Sequence, residues 1–209
     1  QKAVYQITAT FDEESITFTS DDAIDEIAIF FNHASTRRLI ISCATESELK
    51  LRALSRTITF EQLELQIVDD QSCRIYHNLI HEFQIINELV IRSRKDLFAR
   101  KGARHLLMNI PLVKRIHFAP DAYLYWQQDN HQSIIDDEIL LHLVGSCSNY
   151  ANLSTVTTRF TSSGVSRAFQ MVCNAKKNFS VSMRMPISEF NHFMQSLKMD
   201  PQFRIEGDY

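Results

Sequence analysis

Two histidines and one acidic tripeptide come nearest to a known chemical spacing in this sequence. His77 and His81 are four residues apart, so on a helix both imidazoles would lie on one face and could chelate Zn²⁺. The pair is not part of an HExxH motif and lacks a defined third ligand. We therefore predict two solvent-exposed histidines and no metal site.

The tripeptide Glu48-Leu49-Lys50 has the carboxylate–x–lysine spacing of metal-dependent nucleases. Thr45 and Glu48, however, have the spacing of a capping box, which predicts the first turn of a helix at this position. No GxGxxG, GxxxxGK[ST] or GxSxG motif is present, and no Cys lies in a local pattern of known nucleophiles. We predict a non-enzymatic protein without a cofactor. A small-molecule sensor, or an enzyme whose site has no known motif, is a third alternative.

A long acid-free stretch is the strongest indication of a binding function. No Asp or Glu lies between Glu138 and Glu189, although 25 of the 209 residues are acidic. The stretch carries cations in or beside three segments that alternate like strands, at 154–161, 165–173 and 179–185. Guanidinium and hydroxyl groups donate hydrogen bonds to phosphate oxygens. The predicted site for nucleic acid or another polyanion consists of Arg159, Arg167, Lys176, Lys177 and Arg184. A solvated or protein-covered face is the alternative, since the outer face lacks the aromatic side chains on which bases stack.

A second basic run lies in the middle of the chain. Residues 92–115 contain eight Lys or Arg residues and one acid, Asp96. Cations are favoured at a helix C-terminus, which explains part of the run. The remainder indicates a docking site for nucleic acid, anionic lipid or an acidic protein. We add to the predicted polyanion site Arg92, Arg94, Lys95, Arg100, Lys101 and Arg104.

Charge and cysteine content indicate the environment of the protein. The net charge is −7 for residues 1–70, +1 for 71–138 and +3 for 139–209, so acidic and basic parts could pair within one chain or between chains. The four Cys lie far apart without a CxxC pair, which favours reduced, buried thiols and a cytoplasmic location. No apolar run is long enough for a transmembrane helix. The first residue is Gln rather than Met, as expected of a trimmed chain or part of a longer protein.

The elements that would position these residues form an α+β fold in our prediction. A hairpin (3–19), a helix (20–33), a strand (38–43), a short helix (45–54) and a strand (57–68, irregular near Glu61) make an N-terminal layered α/β unit. Helical spacing predicts one long central helix from Ser72 to about Phe98, and a short helix at 103–108. Strands at 113–118 and 122–127, a helix from Asp136, the three late strands and a last helix from Ser188 predict a C-terminal antiparallel sheet backed by a helix.

This organisation gives three units and a tail, with boundaries at 1–70, 71–110, 111–200 and 201–209, or one continuous domain. The predicted function is a cytoplasmic binding or regulatory module that engages nucleic acid or another polyanion through a basic sheet face. The alternative is a protein-interaction or assembly subunit, with a homo- or hetero-oligomer interface formed by the long helix and the strand of Trp126.

Overall fold

The structure, a computed structural model, describes residues 6–11, 14–18, 35–42, 52, 59–93, 101–120, 134–156 and 158–197. The predicted helix at 20–33 and the predicted strand at 122–127 lie outside this part of the chain, as does nearly all of the predicted helix at 45–54. Arg94, Lys95 and Arg100 of the predicted polyanion site also lie outside it.

Eight strands and five helices are described. The strands are β1 (Gln6–Phe11), β2 (Glu14–Phe18), β3 (Ser35–Ser42), β4 (Thr59–Ile67), β5 (Gln84–Ser93), β6 (Val113–Pro120), β7 (Cys147–Asn152) and β8 (Ser180–Ser182). The helices are α1 (Asp70–Leu79), α2 (Lys101–Leu107), α3 (Asp137–Ser146), α4 (Ser162–Asn174) and α5 (Ile187–Leu197).

All eight strands form one sheet in the order β2-β1-β3-β4-β5-β6-β7-β8. The hairpin β1–β2 is antiparallel, as predicted, and β1 also pairs antiparallel with β3. From β3 to β8 every pair of neighbours is parallel and follows the chain order. The predicted α+β class with a C-terminal antiparallel sheet is therefore wrong, because the described fold is α/β with six parallel strands.

The strand order determines where the helices lie. A crossover between parallel strands is almost always right-handed, so successive crossovers that move in one direction place their helices on one face of the sheet. The hydrophobic core formed by the described residues agrees with this, because it joins residues of α1, α2, α3 and α4 to one alternating set of strand residues. That set includes Leu39, Leu63, Leu89, Ile116 and Ala151.

The prediction of one long central helix was wrong, because helix-like and strand-like patterns overlap in this part of the sequence. Helix α1 begins with Asp69 as N-cap, whose side chain accepts a hydrogen bond from the Ser72 amide at 2.7 Å, and it ends at Leu79. Residues 84–93 then form β5 between β4 and β6. The run Leu89-Val90-Ile91 continues the helical spacing but contains β-branched residues, which favour strands. Pairing on both sides favours the strand.

Helix α4 replaces one of the three predicted late strands. Strand alternation at 165–173 would put Phe169, Met171 and Cys173 on one face, and the thiol of Cys173 was predicted to be buried, yet Met171 and Cys173 are exposed. Instead Val165 and Ala168 are buried, at a spacing typical of a helix. Residues 154–155 form a turn, residues 158–161 have irregular backbone, and 179–185 contains only the short parallel strand β8.

Several local predictions are confirmed. Helix α3 begins at Asp137 with Asp136 as its N-cap, and Cys73 and Cys147 are buried free thiols. The irregularity predicted near Glu61 is a register shift between β4 and β5. No described helix is long and apolar enough to cross a membrane. The division of the chain into units stays a prediction.

Candidate binding surface on the open face of the sheet

The second face of the parallel sheet is the candidate functional surface. We call it the open face, because the described helices pack on the opposite side. Val90 illustrates the difference, since it is buried but is not part of the hydrophobic core, whereas its neighbours Leu89 and Ile91 are. The open face carries Arg38, Gln62, Glu64, Gln66, Glu88, Val90, Arg92, Arg115, His117, Tyr150 and Asn152.

Strand register arranges these side chains in rows across the sheet. Arg38, Gln62, Glu88, Arg115 and Tyr150 are successive partners from β3 to β7. Strand spacing is about 4.8 Å, so neighbouring side chains in a row can contact each other. Polar and charged groups far apart in sequence thus form one continuous surface.

Glu64 is the centre of an ion-pair network on this face. Its carboxylate accepts hydrogen bonds from Arg38 Nη2 at 2.8 Å and Arg92 Nε at 2.7 Å, and from Gln66 Nε2 at 3.2 Å. Burial alone would raise the pKa of the Glu64 carboxyl. The hydrogen bonds from the two arginines, together with the charge of Arg92, outweigh burial and hold that pKa below its usual value. Glu64 is therefore ionised at neutral pH.

Glu88 has a similar position one row away. Its carboxylate lies 2.9 Å from His117 Nε2 and 3.7 Å from Arg115 Nη2. The His117 ring contacts the Tyr150 ring edge to face, with centroids 5.4 Å apart. This cluster connects β5, β6 and β7 on the open face.

Acids and bases differ in their depth on this face. The Glu64 and Glu88 side chains are only 2% and 16% exposed, whereas those of Arg38, Arg92 and Arg115 are 42%, 34% and 51% exposed. Guanidinium groups thus lie outside and carboxylates beneath them. Each guanidinium has five N–H donors, so a molecule that approaches this face meets mainly hydrogen-bond donors.

A depression of about 420 Å³ lies near the amino ends of β3–β6. Its lining residues are Arg37, Arg38, Glu61, Gln62, Asn87, Glu88 and Arg115. Both register shifts between the described strand pairs fall at this level, one between Phe60 and Gln62 and one between Val113 and Arg115. Such irregularities leave backbone groups outside the regular ladder and are frequent beside functional sites.

The late cations of the predicted polyanion site lie on and around α4. Arg159 and Arg184 belong to adjacent segments, because the Thr158 hydroxyl donates a hydrogen bond to the Arg184 carbonyl. Arg167 is on α4, and Lys176 and Lys177 follow the end of that helix. The 13 residues of α4 separate the two ends by about 20 Å. The group is therefore extended along α4 and does not lie on a sheet face.

The surroundings of these cations differ. Arg159, Arg167, Lys176 and Arg184 are exposed and form no ion pair with a described carboxylate. Lys177 Nζ donates to the Val144 carbonyl at 2.9 Å, at the end of α3.

The middle basic run is not a single surface in the described residues. Arg92 contacts Glu64 on the open face, and Lys101 begins α2. Arg104 Nη1 donates to Asp136 Oδ2 at 2.6 Å, and its Nη2 contacts Glu138. The hydrogen bond with Asp136 raises the pKa of Arg104. Arg104 therefore joins α2 to the start of α3.

The histidine pair of the sequence lies at the end of α1. His77 is in the last turn of α1, and exposed His81 follows the helix end. No group of three or more His, Cys, Asp or Glu side chains in the described ranges is placed to hold a metal ion. Ser146 Oγ lies 3.2 Å from His142 Nε2, one turn apart on α3. This pair belongs to the helix layer, whereas the depression is at the sheet.

Sequence reasoning missed Arg38, Glu64, Glu88 and Arg115. Their signal was the alternation of polar with apolar residues in β4, β5 and β6, but only strand order brings them together.

Neither the protein-family models nor the curated proteins with which the sequence was compared match this sequence.

Proposed function

We propose that this chain is a non-enzymatic, cytoplasmic protein-interaction module whose open face binds a segment of a partner protein. One observation carries the proposal: six parallel strands have all of their described helices on one face. Parallel sheets are normally covered on both faces, so the second face is expected to have a partner. Folds in which strand–helix units stack in chain order use extended surfaces of this kind for binding.

The chemistry of the open face supports a polypeptide partner. Hydrogen-bond donors lie outermost, carboxylates lie beneath, and Tyr150 and His117 add aromatic surface at one end of the row. Mixed polar and aromatic surfaces are typical of protein interfaces, in which Arg and Tyr are enriched. The buried free thiols Cys73 and Cys147 support a reducing location such as the cytoplasm.

Selection of peptides tests the proposal. The intact chain is used to select binders from a display library of random linear peptides, and their affinities are compared for two charge-reversal variants. Arg115→Glu changes the open face, and Arg74→Glu makes the same change at an exposed position of α1. We expect Arg115→Glu to weaken the selected peptides about tenfold or more, equivalent to about 1.4 kcal/mol, and Arg74→Glu to leave them unchanged. Equal binding by both variants would refute the open face as the site.

A second candidate function, binding of nucleic acid or another polyanion, is favoured by the four exposed late cations without a described ion-pair partner. Its test is fluorescence anisotropy with labelled single- and double-stranded oligonucleotides across a salt series. The variant replaces Arg159, Arg167, Lys176 and Arg184 by Ala. If these residues contact phosphates, affinity falls and the logarithmic salt slope decreases by about 0.7–0.9 per lost contact. An unchanged slope, or no binding at low salt, excludes this role.

Self-association is a further form of the interaction proposal, since the acidic first third could pair with the basic last third of another copy. Light scattering at low and high salt measures it directly. A dimer that persists in low salt and dissociates in high salt supports pairing by charge. A monomer at every salt concentration leaves only heterologous partners.

A further inference from the structure

We infer that the part of the open face formed by β6, β7 and β8 binds an acidic residue of the partner segment through a group of hydrogen-bond donors, which we call the donor patch. The donor patch consists of Arg115, Tyr150, Asn152, Ser180 and Ser182. This inference rests on the proposed protein-interaction function. It names the position of the contact and the chemical class of the segment, a short peptide that contains one Asp or Glu.

Two rows of register partners bring the donor patch together. The first row is Arg115, Tyr150 and Ser180, and the second is His117, Asn152 and Ser182. Ala151 and Val181 alternate with the members of these rows and lie in or against the hydrophobic core, so the rows are on the opposite, open face. Each row spans two strand spacings, about 10 Å, which is the length of about three residues of an extended peptide.

The neutral donors of the patch are not used by the described part of the chain. Asn152 Oδ1 accepts hydrogen bonds from the Ser154 amide at 3.1 Å and from the Ser154 hydroxyl at 2.7 Å. The Nδ2 group of Asn152 therefore remains as a donor. The side-chain hydroxyls of Tyr150, Ser180 and Ser182 form no hydrogen bond with another described residue. An acceptor from a partner would thus meet donors that the described fold leaves unused.

Arg115 supplies the charge of the patch. Its side chain is 51% exposed, and its Nη2 lies 3.7 Å from Glu88 Oε2, which is beyond hydrogen-bond distance. His117 Nε2 lies closer to the Glu88 carboxylate, at 2.9 Å. The Arg115 guanidinium, with its five N–H donors, can therefore bond to a second carboxylate while it remains beside Glu88.

The half of the open face on β3, β4 and β5 differs from the donor patch. There the Glu64 carboxylate accepts hydrogen bonds from Arg38, Gln66 and Arg92, so the fold supplies its own acceptor. The sequences of β6, β7 and β8 contain no Asp or Glu, and β7 and β8 lie within the acid-free stretch. The donors of this half therefore need an acceptor from water or from a partner.

A single carboxylate suits the donor patch better than a phosphate. A carboxylate carries one negative charge and has about four lone-pair sites, enough for the Arg115 guanidinium and two neutral donors. Arg115 is the only Lys or Arg on the open face of β6, β7 and β8. A phosphate ester carries close to two negative charges near neutral pH, and its second charge would face Glu88 without a further cation from these strands.

Changes in the peptide test the chemical class of the partner. The peptides selected with the intact chain are resynthesised with each Asp replaced by Asn, each Glu replaced by Gln, or either replaced by phosphoserine. We expect the selected peptides to share an acidic residue, and its amide counterpart to bind about tenfold more weakly or worse, because a hydrogen bond with a charged group is lost. Equal binding of the amide peptides, or tighter binding of the phosphoserine peptides, would overturn the carboxylate assignment.

Conservative variants of the chain test the position of the contact. Tyr150→Phe removes only the hydroxyl and keeps the ring, and Asn152→Asp keeps the acceptor of the Ser154 bonds but replaces the donor by a charged oxygen. We expect Tyr150→Phe to weaken the peptides about threefold to tenfold and Asn152→Asp about tenfold or more. The matched control is Gln62→Glu on β4, which makes the same type of change three strand spacings away, about 14 Å. Solvent screening over this distance should leave binding unchanged.

The same variants separate failure of this inference from failure of the proposed function. If Tyr150→Phe and Asn152→Asp bind the peptides as tightly as the intact chain does, the donor patch is overturned. Weaker binding by Gln62→Glu in that case preserves an interaction at the other half of the open face. If the intact chain selects no peptide, both the donor patch and the proposed function are overturned. Circular dichroism identifies unfolded variants before binding is measured.

Discussion

Replacement of Glu64 by Gln tests whether the charge pattern of the open face is built into the fold. Gln keeps the size of the side chain but removes its charge, and it directs an N–H₂ group toward at least one arginine donor. Breaking a fully buried ion pair costs about 3–5 kcal/mol. Arg38 and Arg92 are 42% and 34% exposed, so solvent compensates part of this loss. We therefore expect the free energy of unfolding to fall by about 1–3 kcal/mol at pH 7.

The pH dependence of this loss gives a sharper test. The pKa of Glu64 is lower in the folded protein than its usual value, so its contribution to stability is complete above the unfolded-state pKa of about 4.3. That contribution disappears as the pH falls through the lower, folded-state pKa. The difference between wild type and Glu64→Gln should thus be largest at pH 7 and should shrink in acid.

Urea unfolding followed by circular dichroism measures both quantities. The matched control is Glu61→Gln, which makes the same change on the same strand at an exposed position without an ion pair to a described residue. We expect the control to change stability by less than about 0.5 kcal/mol. If Glu64→Gln is as stable as wild type, or if its loss is equal at pH 7 and in acid, the ion-pair network does not hold the arginines in place.

Four further predictions concern the helix layer. Gly164→Ala should lower the free energy of unfolding by about 1–3 kcal/mol in urea titrations, because a Cβ at this position would clash with the Asp137 carboxylate. Gly145→Ala should instead stabilise α3 by up to about 1 kcal/mol, because no atom lies within 4 Å of a Cβ built at Gly145. Lys176→Gly should raise the thermal midpoint, since Lys176 has φ 50°, a left-handed conformation that favours Gly. His142→Gln should flatten the decline in stability below about pH 6.5: burial lowers the pKa of His142, so the unfolded state binds its proton more readily and stability falls as the pH decreases.

The predictable parts of the fold were those whose local signals agreed. Asp136 and the acids after it predicted the start of α3, and the alternation around Leu63 and Leu65 predicted β4. At β5 the helical spacing and the β-branched composition disagreed, and the sequence contains no information on which neighbours will pair with it. At α4, Thr161 as N-cap was the signal, since its hydroxyl accepts a hydrogen bond from the Gly164 amide, but strand-like alternation concealed it.

The open face could not be predicted because it depends on strand order. Arg38, Glu64 and Arg92 are 26 and 28 residues apart along the chain, and only parallel pairing of β3, β4 and β5 brings them into contact. An antiparallel arrangement of the same strands would give each carboxylate different neighbours. The composition therefore showed that cationic side chains are present, whereas the strand order decides which of them pair with buried acids and which can contact a partner.

The acids that flank the acid-free stretch have structural partners. Glu138 and Glu189, which bound it, both have structural partners: Glu138 contacts Arg104, and Glu189 Oε2 accepts a hydrogen bond from the Ser162 amide at 2.8 Å. Just before the stretch, the Asp137 carboxylate accepts hydrogen bonds from the Thr161 amide and hydroxyl. The acids around this region thus serve the starts of helices, where the macrodipole favours negative charge. These contacts engage the carboxylates nearest to the stretch, whereas Arg159, Arg167 and Arg184 form no ion pair with a described carboxylate. The positive charge of these three residues is therefore not neutralised by the acids at the helix starts, and its use by an anionic partner stays a prediction.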